Sequence, residues 1–313
     1  MSLFIRCWLK VIVVFFFIWF IFSLLWHEKQ IAQQHVSSPK IMFVVRTSSS
    51  FYRQRLIHLV ETWISLVKND VFFVSDRSLI NISQSHVILT KHLCGPDGHS
   101  LTTLCCKTVH DFILFHRHRT FYDWFCHFDD DQYVHIVNLR SFLSKFNSSQ
   151  PYYIGRNSWK EPFKRATQLR PTTFWFATLG AGVCLSKSLI DLLRPYTMIV
   201  SQFIEGCLQE NYHDDIYLGF LIAAYLNLSL TRELRFHSHL EADFYSDKTK
   251  FLNHFHDQIT FGFRLPDRTP NFLPQLYSIN DDPFSMRTLH CLLYPENSPC
   301  ALLMHQYLLK RTI

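Results

Sequence analysis

Residues 124–134 read WFCHFDDDQYV, and this stretch decides the fold prediction. Bulky apolar side chains lead directly into Asp129, Asp130 and Asp131, a pattern typical of a buried strand that ends at the acids. In open α/β sheets, ligands bind at the carboxyl ends of the strands. Neighbouring carboxylates repel one another when they lose water, and oxygen ligands favour a hard divalent cation such as Mg²⁺ or Mn²⁺. The stretch therefore predicts a metal site at the edge of an α/β sheet, with an acidic surface turn as the alternative.

Strand and helix patterns alternate on both sides of this stretch. Apolar runs predict strands at residues 41–45, 71–74, 87–89, 124–128, 152–155 and 174–177, and apolar residues at helical spacing predict helices at 53–68, 107–119 and 216–226. Such alternation predicts a parallel sheet with helices on both faces. Residues 40–313 contain no convincing boundary, so we expect a single domain there.

Composition narrows the class of protein. The chain has 313 residues, of which 48% are hydrophobic and 18% are charged, fractions typical of a globular protein. The net charge of +6 is spread along the chain without a dense basic block, which argues against nucleic-acid binding. Nine cysteines in a chain of this length do not predict a disulfide-dense miniprotein.

The N-terminal region has the pattern of a membrane anchor. Residues 11–26 carry no charge, and Arg6 and Lys10 precede them. The run is short for a spanning helix, which usually needs about 17 to 25 residues, and it suits the thin membranes of the early secretory pathway. A cleaved signal peptide is the alternative, but no small-x-small cleavage site follows the run. The positive flank predicts a type II protein with a cytoplasmic tail at 1–10, a transmembrane signal anchor at 11–26, a lumenal stem at 27–39 and a lumenal domain at 40–313.

Acceptor sequons for N-glycosylation agree with a lumenal location. They begin at Asn81, Asn147 and Asn227, although each short sequon is a weak signal by itself. An oxidising lumen would also allow the cysteines to pair.

Two charged motifs are candidates for ligand binding and catalysis. Arg53 and Arg55 follow the first predicted strand, and we interpret Arg53 as solvated and Arg55 as able to reach a phosphate or a sugar. Asp214 and Asp215 precede an apolar helix. An acid in this position caps the helix or, alternatively, acts as a general base that faces a cleft.

Two further motifs have both a structural and a functional interpretation. Aromatic residues 174–176 precede Gly180 and Gly182, so they form either a core strand and turn or an apolar platform for a sugar. His237 and His239 alternate, and alternation within a strand would place both rings on one face. A histidine pair of this kind is more often structural than functional.

In combination, these motifs resemble the Fringe family, the β-1,3-N-acetylglucosaminyltransferases that elongate O-linked fucose on EGF-like repeats. The matching stretches, in chain order, are RLIHLVETWIS (55–65), CKTV (106–109), WFCHFDDDQYV (124–134), FWFAT and GAG (174–182), DD (214–215), FHSHLE (236–241) and HCLLYP with a second cysteine nine residues on (290–300). They span nearly the whole predicted lumenal domain. The resemblance implies a GT-A fold, which is a Rossmann-like mixed sheet flanked by helices.

The resemblance also implies roles for individual residues. Asp131 and His239 would hold Mn²⁺, while Asp130 and Arg55 would contact the donor UDP-GlcNAc. Asp215 would be the catalytic base that deprotonates the fucose 3-hydroxyl, and attack from the face opposite UDP would invert the anomeric centre. The acceptors would be O-fucosylated EGF-like repeats of Notch-type receptors, modified at the Golgi membrane to modulate Notch signalling.

The cysteines match the family's disulfides as well. The resemblance implies the pairs Cys94–Cys106, Cys126–Cys184 and Cys291–Cys300. Because Cys105 lies beside Cys106, the first pairing is ambiguous by one residue. Cys207 has no obvious partner, and Cys7 lies on the predicted cytoplasmic side.

The sequence departs from the family at a few positions. Leu179 replaces the first glycine expected after FWFAT, and Ile216 replaces a cysteine expected after the paired acids. No proposed catalytic group is lost, so we expect an active enzyme. The alternatives are a related β-1,3 glycosyltransferase with another donor or acceptor, and a non-catalytic lumenal protein that binds EGF-like repeats.

Overall fold

The aromatic lead-in to the acids forms a central strand of the main sheet. The structure is a computed structural model that describes residues 38–79, 82–95, 98–165, 172–263 and 272–311. The strands of the main sheet are β1 (Ile41–Arg46), β2 (Val71–Ser75), β3 (Val87–Leu89), β4 (Trp124–Asp129), β6 (Tyr153–Gly155), β9 (Val183–Ser186) and β10 (Leu230–Arg232). Within the described residues their order is β10-β6-β9-β4-β1-β2-β3. Shorter pairs are formed by β5 (Gln132–Val134) with β11 (Thr260–Gly262), and by β7 (Phe163–Arg165) with β8 (Thr172–Phe174).

The sheet is mixed, whereas the strand pattern alone predicted a parallel one. β4 pairs in parallel with β1 but antiparallel with β9, and β9 is also antiparallel to β6. The reason lies in the connection from β6 to β9, whose described residues contain the β7–β8 pair and no α-helix. Parallel neighbours need a crossover connection, usually a helix, so a segment without one leads naturally to an antiparallel neighbour. The mixed sheet implied by the family resemblance is confirmed.

Helices cover both faces of this sheet. They are α1 (Ile57–Val60), α2 (Leu101–His118), α3 (Ile136–Leu143), α4 (Lys187–Thr197), α5 (Val200–Glu210), α6 (Asp214–Leu226), α7 (Ala242–Ser246), α8 (Lys248–His254), α9 (Met286–Leu293) and α10 (Cys300–Arg311). Alternate residues of β1 enter different cores, because successive strand side chains point to opposite faces. Phe43 packs on one face with Trp63 and Phe128, while Met42 belongs to the core that contains Phe112 on the other face.

The helix predicted at 53–68 is interrupted. A π-helical turn (Tyr52–Leu56) leads into α1, and a separate 3₁₀ turn (Trp63–Leu66) follows. The backbone leaves the helical region at Thr62, where φ is −113° and ψ is −111°. The Trp63 indole then donates a hydrogen bond of 3.0 Å to the carbonyl of Gln132, so tertiary packing determines where this helix ends. The π-helical turn carries Arg55, and such turns are common at functional sites.

Disulfides connect the elements around the sheet. The structure contains the bonds Cys94–Cys106, Cys126–Cys184 and Cys291–Cys300. It also joins Cys105 to Cys207, so the two adjacent cysteines of α2 pair with different partners. Cys207 therefore has a partner that sequence reasoning did not identify.

Lys40–Ile313 form one compact unit. The predicted cytoplasmic tail and signal anchor, and the stem as far as residue 37, lie outside the described residues. Among the described residues, no helix combines the length and the apolar character that crossing a membrane requires.

Candidate active site

A cleft of about 630 Å³ opens at the carboxyl ends of β1 and β4. Its walls carry the predicted site residues Arg55, Asp130, Asp131, Asp215 and His239. They come from the π-helical turn after β1, the end of β4, the start of α6 and the loop after β10. The fold thus brings all the predicted catalytic, donor-binding and metal-binding residues to one place, although their roles stay predictions.

Two of the three consecutive acids are buried in this cleft. Asp130 is 4% exposed and Asp131 is 8% exposed, which excludes a simple acidic surface turn for both. Arg55 donates from Nη1 to Asp130 Oδ1 at 3.1 Å and to Asp131 Oδ2 at 3.4 Å. Thr47 donates from Oγ1 to Asp130 Oδ2 at 2.7 Å. Burial raises the pKa of Asp130 to about 6, and burial together with the charges of Asp129 and Asp130 raises that of Asp131 to about 7.

The donor atoms of Asp131 and His239 fit a divalent cation. Asp131 Oδ2 and His239 Nδ1 lie 3.9 Å apart. Two ligand bonds of about 2.1 Å to one ion allow a separation of up to about 4.2 Å, so both atoms can reach the same ion. A carboxylate and an imidazole are also suitable ligands for Mn²⁺. Because burial and the neighbouring charges of Asp129 and Asp130 raise the pKa of Asp131, a cation there would stabilise the ionised carboxylate.

The neighbouring acids Asp214 and Asp215 have different environments. Asp214 Oδ2 accepts hydrogen bonds of 2.7 Å from Arg46 Nη1 and 2.7 Å from Thr108 Oγ1. Asp215 Oδ1 accepts a local bond of 2.8 Å from the N–H of Ile216, and the residue also lines the cleft. Burial and the charge of Asp214 raise the pKa of Asp215 to about 7. The N-cap of α6 is His213, which makes no side-chain cap bond, so the interpretation of the acids as helix caps is wrong. Asp215 lines the cleft, and its role as a general base stays a prediction.

Arg46 is a cleft residue that sequence reasoning missed. It is 8% exposed and lies at the end of β1, in register with Asp129 of β4. Its Nε donates to Asp129 Oδ1 at 3.4 Å, its Nη1 bonds both Asp214 and Thr108, and its Nη2 lies 3.3 Å from His127 Nε2. It thereby links the acids of β4 to the start of α6. The signal that could have found it is a lone arginine that closes an otherwise apolar strand.

Comparison with known proteins identifies the family. A family model described as Fringe-like matches residues 36–297. The chain belongs to the Fringe family. It is 32% identical to the β-1,3-N-acetylglucosaminyltransferase lunatic fringe of Danio rerio over 85% of this chain and 71% of that protein. It is 33% identical to lunatic fringe of Mus musculus, with coverage of 85% and 70%, and 32% identical to the Fringe glycosyltransferase of Drosophila melanogaster, with coverage of 83% and 63%. The predicted family is confirmed, and with it the assignment as a glycosyltransferase.

Solved structures resemble this Fringe-family chain more distantly. A glycosyltransferase involved in glycosylation of the major capsid of PBCV-1 aligns with a TM-score of 0.37 and 13% identity, covering 73% of this chain and 96% of that chain. The glycosyltransferase GlyE of Streptococcus pneumoniae TIGR4 aligns with a TM-score of 0.42 and 12% identity, covering 88% and 64%.

The two histidines of the Fringe-type FHSHLE motif do not share a face. Residues 236–239 are not in a strand, which corrects the interpretation of His237 and His239 as an alternating pair. The His237 ring stacks on Phe244 at 4.1 Å and its Nε2 bonds Gln258 Oε1 at 2.7 Å, whereas His239 lines the cleft beside Asp131. Of the two, His239 lines this cleft, whereas His237 packs on Phe244 and bonds Gln258.

The Fringe-type FWFAT motif is mainly core. β8 ends at Phe174, so the strand predicted at 174–177 is wrong in its bounds, and Phe174 and Phe176 are buried against α5 and α6. The aromatic platform at 174–176 is therefore not part of the cleft. The residues that follow the motif do reach the cleft, because Leu179 and Gly180 line its wall.

The remaining predicted residues lie at the surface or outside the described chain. Arg53 is exposed, as expected for a solvated side chain. Asn147 and Asn227 are exposed and so accessible to a glycan, while Asn81 lies outside the described residues.

Proposed function

We propose that this chain is an inverting, Mn²⁺-dependent glycosyltransferase of GT-A type. It transfers GlcNAc from UDP-GlcNAc in β-1,3 linkage to O-linked fucose on EGF-like repeats of Notch-type receptors, and so modulates Notch signalling. The observation that carries the proposal is the convergence of Arg55, Asp130, Asp131, Asp215 and His239 in one cleft of a chain that belongs to the Fringe family.

The donor side of the reaction is assigned to the ends of β1 and β4. The guanidinium of Arg55 contacts both acids in this structure. On donor binding it would exchange these contacts for the diphosphate, which a guanidinium binds through two parallel N–H groups. Asp130 orients the donor sugar nucleotide. Asp131 and His239 would hold Mn²⁺, and the ion would supply positive charge that neutralises a leaving diphosphate.

The acceptor side of the reaction is assigned to Asp215. Its carboxylate accepts the proton of the fucose 3-hydroxyl while that oxygen attacks the anomeric carbon. A pKa of about 7 allows the group to be ionised before the reaction and protonated after it near neutral pH. Attack opposite the departing UDP inverts the configuration at that carbon.

The same proposal includes a location. The predicted anchor at residues 11–26 would hold the enzyme in the Golgi membrane as a single-pass type II protein, with the described domain in the lumen. The disulfides of the structure support an oxidising compartment.

Release of UDP by the purified protein tests this function. With Mn²⁺ and UDP-GlcNAc, we expect release that depends on a fucosylated EGF-like repeat and that disappears in Asp131→Ala, while calorimetry shows weaker binding of UDP with Mn²⁺ and circular dichroism shows an unchanged fold. Turnover with another donor or acceptor would instead identify a related transferase. Binding of the repeat without turnover on any donor would identify a non-catalytic binding protein.

A further inference from the structure

A buried histidine lies behind the acids of β4 and takes no part in the mechanism above. His127 is two residues before Asp129, so both side chains point to the same face of β4, the face on which Phe125 packs in one core with Phe112 of α2. On that face His127 Nδ1 lies 2.7 Å from Asp111 Oδ2 of α2. His127 is 4% exposed and Asp111 is 2% exposed, so bulk water has little access to the pair.

The two members of this Asp111–His127 pair carry opposite charges. Within the described residues, His127 is the only hydrogen-bond partner of the Asp111 carboxylate. A buried carboxylate without a positive partner is very costly, which favours a protonated ring. Burial by itself lowers the pKa of His127, but the charge of Asp111 and the hydrogen bonds of the ring outweigh burial and the charge of Arg46, and the pKa is raised. The ring is then an imidazolium with a proton on each nitrogen.

The second ring nitrogen has two neighbours, and its proton decides between them. His127 Nε2 lies 3.3 Å from Asp129 Oδ1 and 3.3 Å from Arg46 Nη2. With a proton, Nε2 donates to Asp129, and without one it can only accept from Arg46. The charged groups that act on the ring are thus Asp111 from α2, Arg46 from β1 and Asp129 of its own strand. Through the ring, Asp111 controls whether the carboxylate of Asp129 has this donor behind it.

Asp129 is held from behind and is open to the cleft in front. Its side chain is 32% exposed, compared with at most 11% for the two acids that follow it. Arg46 and His127 both contact Oδ1 of Asp129, and among the described residues no hydrogen bond or ion pair occupies its Oδ2. An added Cβ at Gly180 would lie 3.6 Å from this Oδ2, so the oxygen lies beside the cleft wall at Gly180.

The position of Asp129 matches that of the transferred sugar. In the proposed reaction, the anomeric carbon lies between the leaving diphosphate and the base. Asp129 lies two residues before Asp131 of the proposed metal site. It also shares the guanidinium of Arg46 with Asp214, and the proposed base is the next residue. Its Oδ2 is thus located between the two sides of the reaction, where a carboxylate oxygen can accept a strong hydrogen bond from a sugar hydroxyl.

We propose that Asp111 and His127 are positioning residues, which hold Asp129 so that its Oδ2 accepts a hydrogen bond from a hydroxyl group of the transferred sugar. This inference rests on the proposed function. Neither residue of the pair touches the substrate, and both act through Asp129. Because the bond goes to the sugar, the pair affects binding of the sugar nucleotide and not binding of UDP alone.

Asp111→Asn tests the proposal, because it keeps an acceptor for His127 Nδ1 but removes the negative charge. Without that charge the ring loses its second proton, and Nε2 no longer donates to Asp129. In calorimetry with Mn²⁺ at about pH 8, we expect this variant to bind UDP-GlcNAc about tenfold more weakly than the unmodified protein and to bind UDP equally well. Equal weakening for both ligands, or none for UDP-GlcNAc, would overturn the proposal.

Nitrogen-15 NMR of the histidine rings measures the protonation state directly. The signals of His127 are identified by their absence in the double variant Asp111→Asn/His127→Gln, in which neither buried charge remains. The ring should carry two protons at neutral pH in the unmodified protein and one in Asp111→Asn. A neutral ring in the unmodified protein would show that the pair does not work as proposed.

The pH dependence of the rate separates positioning from packing. The quantity compared is the ratio of kcat/KM in the unmodified protein to kcat/KM in Asp111→Asn, because this ratio cancels the contribution of Asp215. Acid returns the second proton to His127 in the variant, so the ratio should fall towards one as the NMR signals show the ring becoming protonated. A ratio that stays constant while the ring gains its proton would mean that Asp111 only supports the fold.

Asp282→Asn is the matched control. Asp282 is a buried acid that accepts hydrogen bonds from the N–H groups of Arg287 and Thr288 at the start of α9, and it does not line the cleft. This variant should lower the melting temperature and leave UDP-GlcNAc binding and the pH profile as in the unmodified protein. The same loss of UDP-GlcNAc binding in Asp282→Asn as in Asp111→Asn would trace the effect to stability and contradict the proposal.

Failure of the proposed function would give a different result. If the unmodified protein binds UDP-GlcNAc without transferring the sugar, the calorimetric difference between Asp111→Asn and Asp282→Asn still decides the role of the pair. If the protein transfers a sugar from another nucleotide, the same comparison is made with that donor. In both cases a selective loss in Asp111→Asn supports the proposal, and equal binding by the two variants contradicts it.

Discussion

At the scale of single residues, the adjacent carboxyl groups of Asp214 and Asp215 have pKa values shifted in opposite directions. Burial disfavours the ionised form of Asp214, but Arg46 more than compensates for it, and the pKa of Asp214 is lowered. Burial and the negative charge of Asp214 disfavour the ionised form of Asp215, and its pKa rises to about 7. One carboxylate therefore stabilises the site and the next is left with the basicity of a proton acceptor.

Asp215→Asn should abolish transfer without weakening the fold. We expect kcat to fall by roughly 10² to 10⁴, the range for loss of a general base, with little change in donor binding. Because folding raises the pKa of Asp215 from 3.8 to about 7, its ionisation destabilises the native state as pH rises between those values. The variant should thus melt at the same or a higher temperature at pH 8. A large fall in melting temperature would contradict this account.

The rate of the unmodified enzyme should depend on pH through the same group. Asp215 faces Arg46 from β1 and Tyr153 from β6, with Asp214 beside it and Lys107 of α2 in the same cleft. Only the deprotonated base accepts a proton, so kcat/KM should rise from pH 6 to pH 8 with a midpoint near pH 7. A rate that is constant over this range would exclude Asp215 as the base.

Arg46→Met should destabilise the protein strongly. It leaves the buried carboxylate of Asp214 without its cation and removes the bond to Asp129. Removing one partner of a buried ion pair costs about 3 to 5 kcal/mol of unfolding free energy. Chemical denaturation measures the loss. Arg46→Lys keeps the charge but not the bidentate geometry, so its unfolding free energy should lie between those of the unmodified protein and Arg46→Met. A loss below about 1 kcal/mol would mean that Arg46 does not support the site.

At the scale of elements, cross-links and close packing hold the cleft walls. The Cys126–Cys184 bond joins β4 to β9 at a pair of residues that face each other in the sheet. The Cys105–Cys207 bond joins α2 to α5, and Cys105 lies three residues before Thr108, the α2 residue that bonds Asp214. One bond therefore anchors the strand that leads into the acids, and the other anchors the helix whose Thr108 bonds Asp214.

Replacing both Cys105 and Cys207 by serine should lower stability more than removing the Cys291–Cys300 bond. The two bonds close segments with sequence separations of 102 and 9 residues. In the chain-entropy model this corresponds to about 4.7 kcal/mol against about 2.6 kcal/mol. Denaturation of the two double-serine variants compares them, and peptide mapping establishes the pairing. The reverse order of stability would show that local packing outweighs the constraint on the unfolded chain.

Gly182→Ala should also destabilise the start of β9. Gly182 has a φ of +93°, and an added Cβ would lie 2.7 Å from a ring carbon of Phe128. Strain of the left-handed backbone and overpacking together cost about 2 to 4 kcal/mol. Gly98→Ala is the control, because nothing lies within 4 Å of its added Cβ. Equal melting temperatures for the two variants would contradict the argument.

At the scale of the whole molecule, the cleft is a product of long-range contacts. Arg46 bonds Asp214 across a separation of 168 residues and Thr108 across 62. The structure of Lys40–Ile313 is a single unit, so these contacts form within one domain. The proposed lumenal location can be tested on the full-length protein.

The secreted or membrane-bound protein should carry N-linked glycans. Asn147 and Asn227 are exposed, and a lumenal domain presents both to the glycosylation machinery. Digestion with an endoglycosidase should lower the apparent mass, and Asn147→Gln with Asn227→Gln should remove the corresponding steps. A chain expressed in animal cells that carries no glycan would contradict the predicted topology.

Local patterns were sufficient for much of the fold. The apolar runs at 41–45, 71–74 and 87–89 are strands, and the run before Asp129 is a central strand of the sheet. One boundary that failed depends on a tertiary contact, and the other depends on a local helix cap. The helix after β1 ends where Trp63 bonds Gln132, and α2 begins at Leu101 rather than 107 because Ser100 caps it by accepting a bond from the N–H of Thr103.

The sequence by itself determined that a buried strand ends in acids, that helices cover the sheet and that the motifs are those of the Fringe family. These properties follow from the spacing of residues that are close in the sequence, and this spacing is the same whether or not the chain is folded. Only the tertiary structure decided that Arg46 pairs with Asp214, that Cys105 bonds Cys207, and that His239 and not His237 lines the cleft. Each of these depends on which distant segments pack together, and the free energy of that packing is a property of the whole folded domain.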